Sequence, residues 1–303
     1  MSEQRIDSQA VRGWLVRAVR ARCGDTERAW FDKANLAAAK GPALKSHVLG
    51  CYSGASRKLG KQALLLDGSE RTGLHALVPG FPIDHWGLDE AARAALLLAF
   101  ADLPPGEFRQ FALQAYELGD SREQESWLRA LWLLPDCGRF RDHAIDACRT
   151  NIKQLFEAIA CENPYPARFF PELNFNQLAM KCLFMGIEVS RILGLEERLN
   201  ADLSRMSNDY ASEREAAGRA VPADIWLVLA PFAGAGALER VQRYCHNADP
   251  LHRVHAALGL GLRRDPARVP ELRAWLQQEQ EPRVVAAIQS ALKRIAPQER
   301  SAG

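Results

Sequence analysis

Apolar residues recur at helical spacing along most of the chain, and this period constrains the fold more than any other feature. In residues 8–22, Val11, Leu15, Ala18 and Val19 fall at i, i+4, i+7 and i+8, one face of a helix. Alternating Val/Ile/Thr/Tyr runs do not occur, and Asp67-Gly68 is the one dipeptide of the tight-hairpin type. Further helices are expected near 25–39, 42–60, 88–101, 105–118, 121–134, 139–160, 171–193, 197–216, 222–230, 235–246, 250–263, 267–278 and 282–296. Several open on an acid followed by proline (Asp249-Pro250, Asp265-Pro266, Glu281-Pro282), where the fixed φ and missing N–H of proline suit a first turn. Near the C-terminus Arg253-Val-His-Ala-Ala-Leu258 matches Arg283-Val-Val-Ala-Ala-Ile288 at an offset of 30. Units of two short helices at such a period bury their faces by stacking. The expected fold is therefore all-α: stacked antiparallel helical hairpins forming a HEAT-like α-solenoid. Its parts are a basic helical layer (1–65), a Gly/Pro-rich loop or linker (66–87), a central helical domain (88–225) and HEAT-like repeats (226–303) in one continuous array.

With 48% apolar and 25% charged residues over 303 positions, the chain has the balance of a water-soluble globular protein. A formal net charge of +2 gives no overall field that would commit it to nucleic acid. The charge is uneven, because residues 1–62 hold twelve Lys/Arg against five Asp/Glu. Such an end suits an acidic partner, a phosphate or an anionic lipid surface, and more simply a set of solvated helix faces. Seven cysteines without a CxxC pair argue against a disulfide framework and for a reducing compartment. The opening MSEQRIDSQAVRGW lacks the apolar core of a signal peptide, and the longest uncharged apolar run, Ile225 to Leu238, is broken by proline and glycine. The expected location is the cytoplasm, with at most peripheral membrane contact.

Signatures of catalysis and metal binding are missing from the sequence. His246, His252 and His255 can share a helix face, but no HExxH or CxxC supplies further zinc ligands. Asp84-His85 has no GxSxG-type nucleophile to serve. Gly234-Ala-Gly236 follows no strand and so does not read as a dinucleotide loop. The seven tryptophans read as core. No enzyme and no cofactor is expected.

The stretch from Arg149 to Leu195 is different. A bend, Glu162-Asn163-Pro164-Tyr165-Pro166, joins two helices, and its prolines bias Asn163 and Tyr165 towards extended backbone. The preceding helix is expected to carry Asn151 and Glu157 beside an apolar face. The following one is expected to carry Asn176, Gln177, Lys181 and Arg191, with Asn174, Gln177 and Lys181 on one side. Amide, ammonium and carboxylate groups beside a rigid bend suit a small polar binding site. They suit better still a network that caps helix ends and ties the bend together.

The run Arg149–Asn151, Phe156-Glu-Ala-Ile-Ala-Cys-Glu-Asn-Pro-Tyr-Pro166, Phe175-Asn-Gln177, Lys181, Phe184-Met-Gly186 and Arg191-Ile-Leu-Gly-Leu195 resembles the EboA family. The resemblance continues through Asp209-Tyr-Ala-Ser-Glu-Arg214 and Ala216-Ala-Gly-Arg-Ala-Val-Pro222, covering roughly 120–225. It implies a metabolite-traffic protein of the ebo gene cluster, linked to moving secondary-metabolite precursors towards the periplasm. Partners so implied are the other ebo proteins and a small metabolite. The family carries no established catalytic residues to transfer. Asn163, Tyr165, Asn176, Gln177, Lys181 and Arg214 match its motif, and with Asn151, Glu157, Glu162 and Arg191 they are the candidate ligand- or partner-binding residues.

Overall fold

A computed structural model describes residues 6–295, and the regular elements among them are all helical apart from an isolated antiparallel bridge between Ala63 and Gly87. Glu3 and Arg5 of the basic segment, and the end of the expected C-terminal repeat, lie outside the described residues. The chain divides into two compact units, Met1–Phe170 and Pro171–Gly303. The division falls inside the expected central block 88–225.

The first unit contains α1 (Ser8–Arg20), α2 (Asp25–Ala39), α3 (Lys45–Leu59), α4 (Gly68–Leu77), α5 (Leu88–Leu98), α6 (Pro105–Glu117), α7 (Ser121–Ala130), α8 (Arg141–Ala147), α9 (Lys153–Ala160) and α10 (Tyr165–Phe169). Its centre is α5, which is buried over its whole length, with α1, α2, α3 and α7 packed around it. An Ala- and Leu-rich sequence allows this, since Ala91, Ala92, Ala94 and Ala95 bring neighbouring backbones close while Leu88, Leu96, Leu97 and Leu98 fill the gaps. Burying each of those leucines contributes about 1.5–3 kcal/mol. Five of the seven expected core tryptophans have partners in the interior (Trp14, Trp86, Trp127, Trp226 and Trp275), whereas Trp30 and Trp132 are partly exposed.

Three local expectations are corrected in this unit. Residues 66–87 are not a loop, because α4 forms within them on a capping box: Asp67 accepts from the Glu70 N–H and Glu70 accepts from the Asp67 N–H. Leu66, Leu74, Val78, Phe81, Ile83 and Trp86 then bury that segment. The single helix expected over 139–160 is two, since the Thr150 hydroxyl accepts from the Ile152 N–H and offers the backbone an alternative to the helix ladder. Tyr165, expected to be extended before Pro166, instead opens α10.

The second unit contains α11 (Glu172–Met185), α12 (Leu195–Arg198), α13 (Ala201–Ala216), α14 (Ile225–Leu229), α15 (Ala235–Tyr244), α16 (Pro250–Arg263), α17 (Val269–Gln278) and α18 (Pro282–Ile295). The helix expected over 171–193 stops at Gly186, which takes the left-handed conformation (φ 65°) while the Ile187 N–H bonds to Cys182 O at 2.9 Å. That is the glycine stop whose lack of a Cβ makes it inexpensive. The two copies of the internal repeat lie in α16 and α18, which pack directly on each other. A Cβ on Gly261 would stand 2.6 Å from the Ala291 Cα, thirty residues on, so the two helices approach closely there.

A half-buried ion pair joins the first copy of the repeat to the end of α17. Arg253 places Nε and Nη2 each at 3.0 Å from Glu279, which also accepts from the Trp275 indole at 3.2 Å and the Glu281 N–H at 3.0 Å. Burial pushes this carboxyl up, but the Arg253 fork and the other donors outweigh it and hold it at about 2, against the usual 4.5. A carboxylate whose folded value is depressed contributes stability above its ordinary value and loses it as pH falls towards the folded one. Urea unfolding followed by tryptophan fluorescence should therefore show this unit weakening between pH about 4.5 and about 2. Glu279→Gln should be less stable at pH 7 and less sensitive to acid over that window. An acid response identical to the parent chain would remove Glu279 as its source.

Candidate functional site

In the first unit the bend places Asn163 almost fully buried, at 2% exposure. Its Nδ2 donates to Leu128 O and Ala158 O, each at 3.0 Å, and its Oδ1 accepts from the Tyr165 N–H at 3.0 Å. Both amide hydrogens are thus spent on carbonyls of α7 and α9, and the oxygen closes an Asx turn into α10. This bond offsets the pre-proline bias at Tyr165. The Tyr165 hydroxyl donates to Cys137 O at 2.8 Å, its ring lies 4.7 Å from that of Phe169, and burial pushes its pKa far above the usual value. Glu157 and Glu162 are partly exposed, with Glu162 at a positive φ of 46°. Asn151 is exposed and precedes α9 rather than riding on a helix.

Replacing Asn163 with alanine should cost about 2–3 kcal/mol, because two carbonyls each lose a donor and the Asx turn loses its acceptor. Thermal unfolding by circular dichroism reads this. A change below about 0.5 kcal/mol would mean that the bend is held by its prolines alone.

In the second unit α11 carries Asn176, Gln177 and Lys181, while Arg191, expected on the same helix, lies beyond the Gly186 stop in a short 3-10 turn, Val189–Arg191. Asn176 and Asn200 form a reciprocal amide pair, with Nδ2–Oδ1 distances of 3.1 and 2.9 Å. Asn200 is the N-cap of α13, accepting from the Leu203 N–H at 2.8 Å. Asn176 is therefore the residue on α11 that orients the α13 cap. Gln177 is exposed and Lys181 half-buried. Arg214, in the last turn of α13, donates through Nε to Ala220 O at 2.9 Å and stacks over Tyr210, pinning the chain after the helix.

Sequence reasoning missed the densest polar constellation of the first unit. Asp89, Glu90 and Arg93 on α5 are at most 1% exposed. Asp89 accepts from Ser56 Oγ at 2.7 Å, Arg93 Nη1 at 2.8 Å, and Arg122 through Nη2 at 2.9 Å and Nε at 3.1 Å. Arg93 also donates to Tyr52 O, Ser126 Oγ and Ser56 Oγ. Glu90 accepts from the Gly87 N–H at 2.6 Å and pairs with Arg122 and Arg129, the latter off-axis as an ion pair rather than a linear hydrogen bond. Burial would raise Asp89, but its bonds to Arg122 and Ser56 and the charges of Arg122 and Arg93 hold it below the ordinary carboxylate range. At Glu90 burial wins over Arg129 and Arg122, and the carboxyl is pushed up. Two adjacent carboxylates thus titrate on opposite sides of their ordinary values, a separation also found in acid–base pairs. Enclosed between α3, α5 and α7, this pair serves to fix how the three helices meet. The signal for it was in the sequence: an Asp–Arg pair at i, i+4, with Glu90 beside it, inside a run otherwise of Ala and Leu.

No cluster of three or more metal-ligating residues occurs among the described residues. His252 accepts through Nδ1 from the Trp226 indole at 2.9 Å, and burial lowers its pKa. His246 is exposed, and burial also lowers His255. Asp84 pairs with Arg71 at the surface. No helix among the described residues is long and apolar enough to cross a membrane.

The model of the family described as metabolite traffic protein EboA matches residues 8–230. The match reaches back to α1, well beyond the 120–225 block in which the sequence resemblance is strongest, and so includes the α5 charge network. The repeat-bearing α16 and α18 lie outside it. No curated protein and no solved structure matches the chain.

Proposed function

Because the chain belongs to the EboA family, whose members are described as metabolite traffic proteins, we propose that it is a non-catalytic helical-repeat protein. On this reading it acts in the cytoplasm as a scaffold or carrier for a secondary-metabolite precursor bound for the periplasm. Its partners are the other proteins of the ebo pathway. One observation carries the reading: the buried polar side chains of the family motif, Asn163, Tyr165 and Asn176, bond to main-chain carbonyls or to a helix cap. Groups committed in this way hold a surface in shape, and a rigid helical surface is what a scaffold offers. The repeat in α16 and α18, with Gly261 against Ala291 at equivalent positions, supports a HEAT-like stacking of that part.

Asn151, Glu157, Glu162, Gln177, Lys181 and Arg191 are exposed or half-exposed, and on this reading a partner or metabolite meets the motif through them. The test is affinity purification of the tagged chain from its native host, with co-purifying proteins and extracted small molecules both read by mass spectrometry. Enrichment of ebo-encoded proteins over an untagged control is the expected result. Conversion of an extracted metabolite by the purified chain alone would overturn the non-catalytic reading, and absence of every ebo protein would overturn the scaffold.

A further inference from the structure

A groove of about 630 Å³ lies on the first unit along the exposed side of α3, lined by Trp30 of α2 and by Ser46, His47, Gly54, Arg57 and Lys58. At 1.5 Å per residue, Ser46 and Lys58 stand about 18 Å apart along the helix. Its volume falls within the usual range of small-molecule sites, about 300–1,000 Å³.

The polar groups that line it are an indole N–H, a hydroxyl, an imidazole, a guanidinium and an ammonium, with no carboxylate among them. Several other cations of this unit are matched: Arg20 to Asp32, Arg22 to Glu70, Lys45 to Glu107, Arg71 to Asp84 and Arg122 to Asp89. Arg57 and Lys58 have neither a hydrogen bond nor an ion pair from their side chains among the described residues, and the same holds for Lys33 of α2. Lys33 is near enough to pull down the thiol of Cys51, in the groove, against the larger upward push of burial. The groove thus holds a guanidinium and an ammonium with no carboxylate in its lining, so a complementary occupant brings acceptors and negative charge.

The shape of the groove adds a second requirement. The Trp30 indole passes over Gly54, with a built Cβ there 3.7 Å from the ring edge, and Gly50 contributes no side chain at all. The result is a smooth wall with a flat aromatic edge and cations at one end, suited to a planar body that ends in an anion. Arg57 can grip a carboxylate or phosphate with two parallel N–H bonds, while Lys58 adds a point charge.

We propose that this groove is a binding site for an anionic small molecule, a carboxylate or phosphate ester carried on a planar unsaturated body. The assignment rests on the carrier side of the function proposed above and names the chemical class of its cargo.

The probe is 2-naphthoate, titrated against the full chain labelled with 5-fluorotryptophan, with the Trp30 resonance assigned through Trp30→Phe. The expected result is a saturable shift of that resonance while the buried tryptophans stay in place. Arg57→Ala/Lys58→Ala should weaken binding about tenfold, whereas Arg57→Lys/Lys58→Arg should retain most of it. Neutral 2-naphthamide should bind at least about tenfold more weakly than the acid. Unchanged melting curves and unchanged remaining resonances establish that the variants are folded, and Arg57→Gln/Lys58→Gln replaces the alanine pair if they are not. An unmoved Trp30 signal, an affinity indifferent to the double substitution, or a glutamate-rich peptide that saturates the groove where naphthoate does not would each overturn the proposal. Failure here with ebo proteins still co-purifying would leave the scaffold reading standing. Binding here without any ebo protein would do the reverse.

Discussion

Replacing Arg93 with alanine is expected to lower the unfolding free energy by about 3 kcal/mol, at the lower end of the range of about 3–5 kcal/mol seen when one partner of a buried ion pair is removed. Three effects add. The Tyr52 carbonyl loses its donor, Ser126 and Ser56 lose theirs, and the space of a fully buried side chain is left in the unit's centre. What keeps the loss from the upper end is Arg122, which remains on Asp89 through two bonds and keeps that carboxylate paired. Arg93→Lys retains the charge but not the four-way reach of the guanidinium, and should fall between the two. Guanidinium unfolding followed by circular dichroism measures the difference. A loss under about 1 kcal/mol would show that the network specifies geometry without contributing much stability, an outcome known for some buried ion clusters.

Gly259→Val is expected to be comparably damaging in the second unit. Inside a helix, replacing glycine by alanine ordinarily gains about 0.5–1 kcal/mol through backbone entropy. At this position a Cβ would fall inside the van der Waals surface of the Trp226 carbonyl oxygen and stand 3.0 Å from the Ala230 Cβ. The clash is with backbone, which cannot rotate away, and Trp226 is itself wedged against Tyr244 and bonded to His252. Overpacking of this kind costs about 1–3 kcal/mol or more, which outweighs the propensity gain. Alanine at 259 should therefore destabilise mildly, and valine by about 3 kcal/mol or more, with loss of the near-ultraviolet signal of the stacked Trp226 and Tyr244. Alanine stabilising the unit would mean that α14 and α16 can separate at little cost.

The sequence revealed the helices of this protein better than their junctions. Periodicity marks α1, α2 and α16 cleanly, because one apolar face against one polar face is what a partly buried helix needs. It marks α4 poorly, since that helix buries Leu74 alone and carries two glycines, and only its Asp67–Glu70 box announces it. The charges of α5 were hidden for the opposite reason: three acidic or basic side chains within five positions look like a solvated face until the surrounding helix proves buried on every side. At the motif, Asn163 and Asn176 stood out as amides in apolar surroundings. An amide bonded to a carbonyl two helices away and an amide aimed at a ligand are written with the same letter, so their roles depended on which carbonyls and caps come near. The groove beside Trp30 was visible only as a basic tendency of residues 1–62, because charge excess becomes a site where partners fail to appear.

The central claim is that the buried polar residues of the motif hold a surface in shape for partners. Asn176→Ala tests it most directly, measured for thermal stability and for ebo proteins co-purified per folded molecule at a temperature well below its melting point. The account predicts a loss of about 1–2 kcal/mol, because Asn200 loses its amide partner at the α13 cap, with co-purification per folded molecule retained. Unchanged stability together with lost co-purification would contradict it and make Asn176 a contact residue.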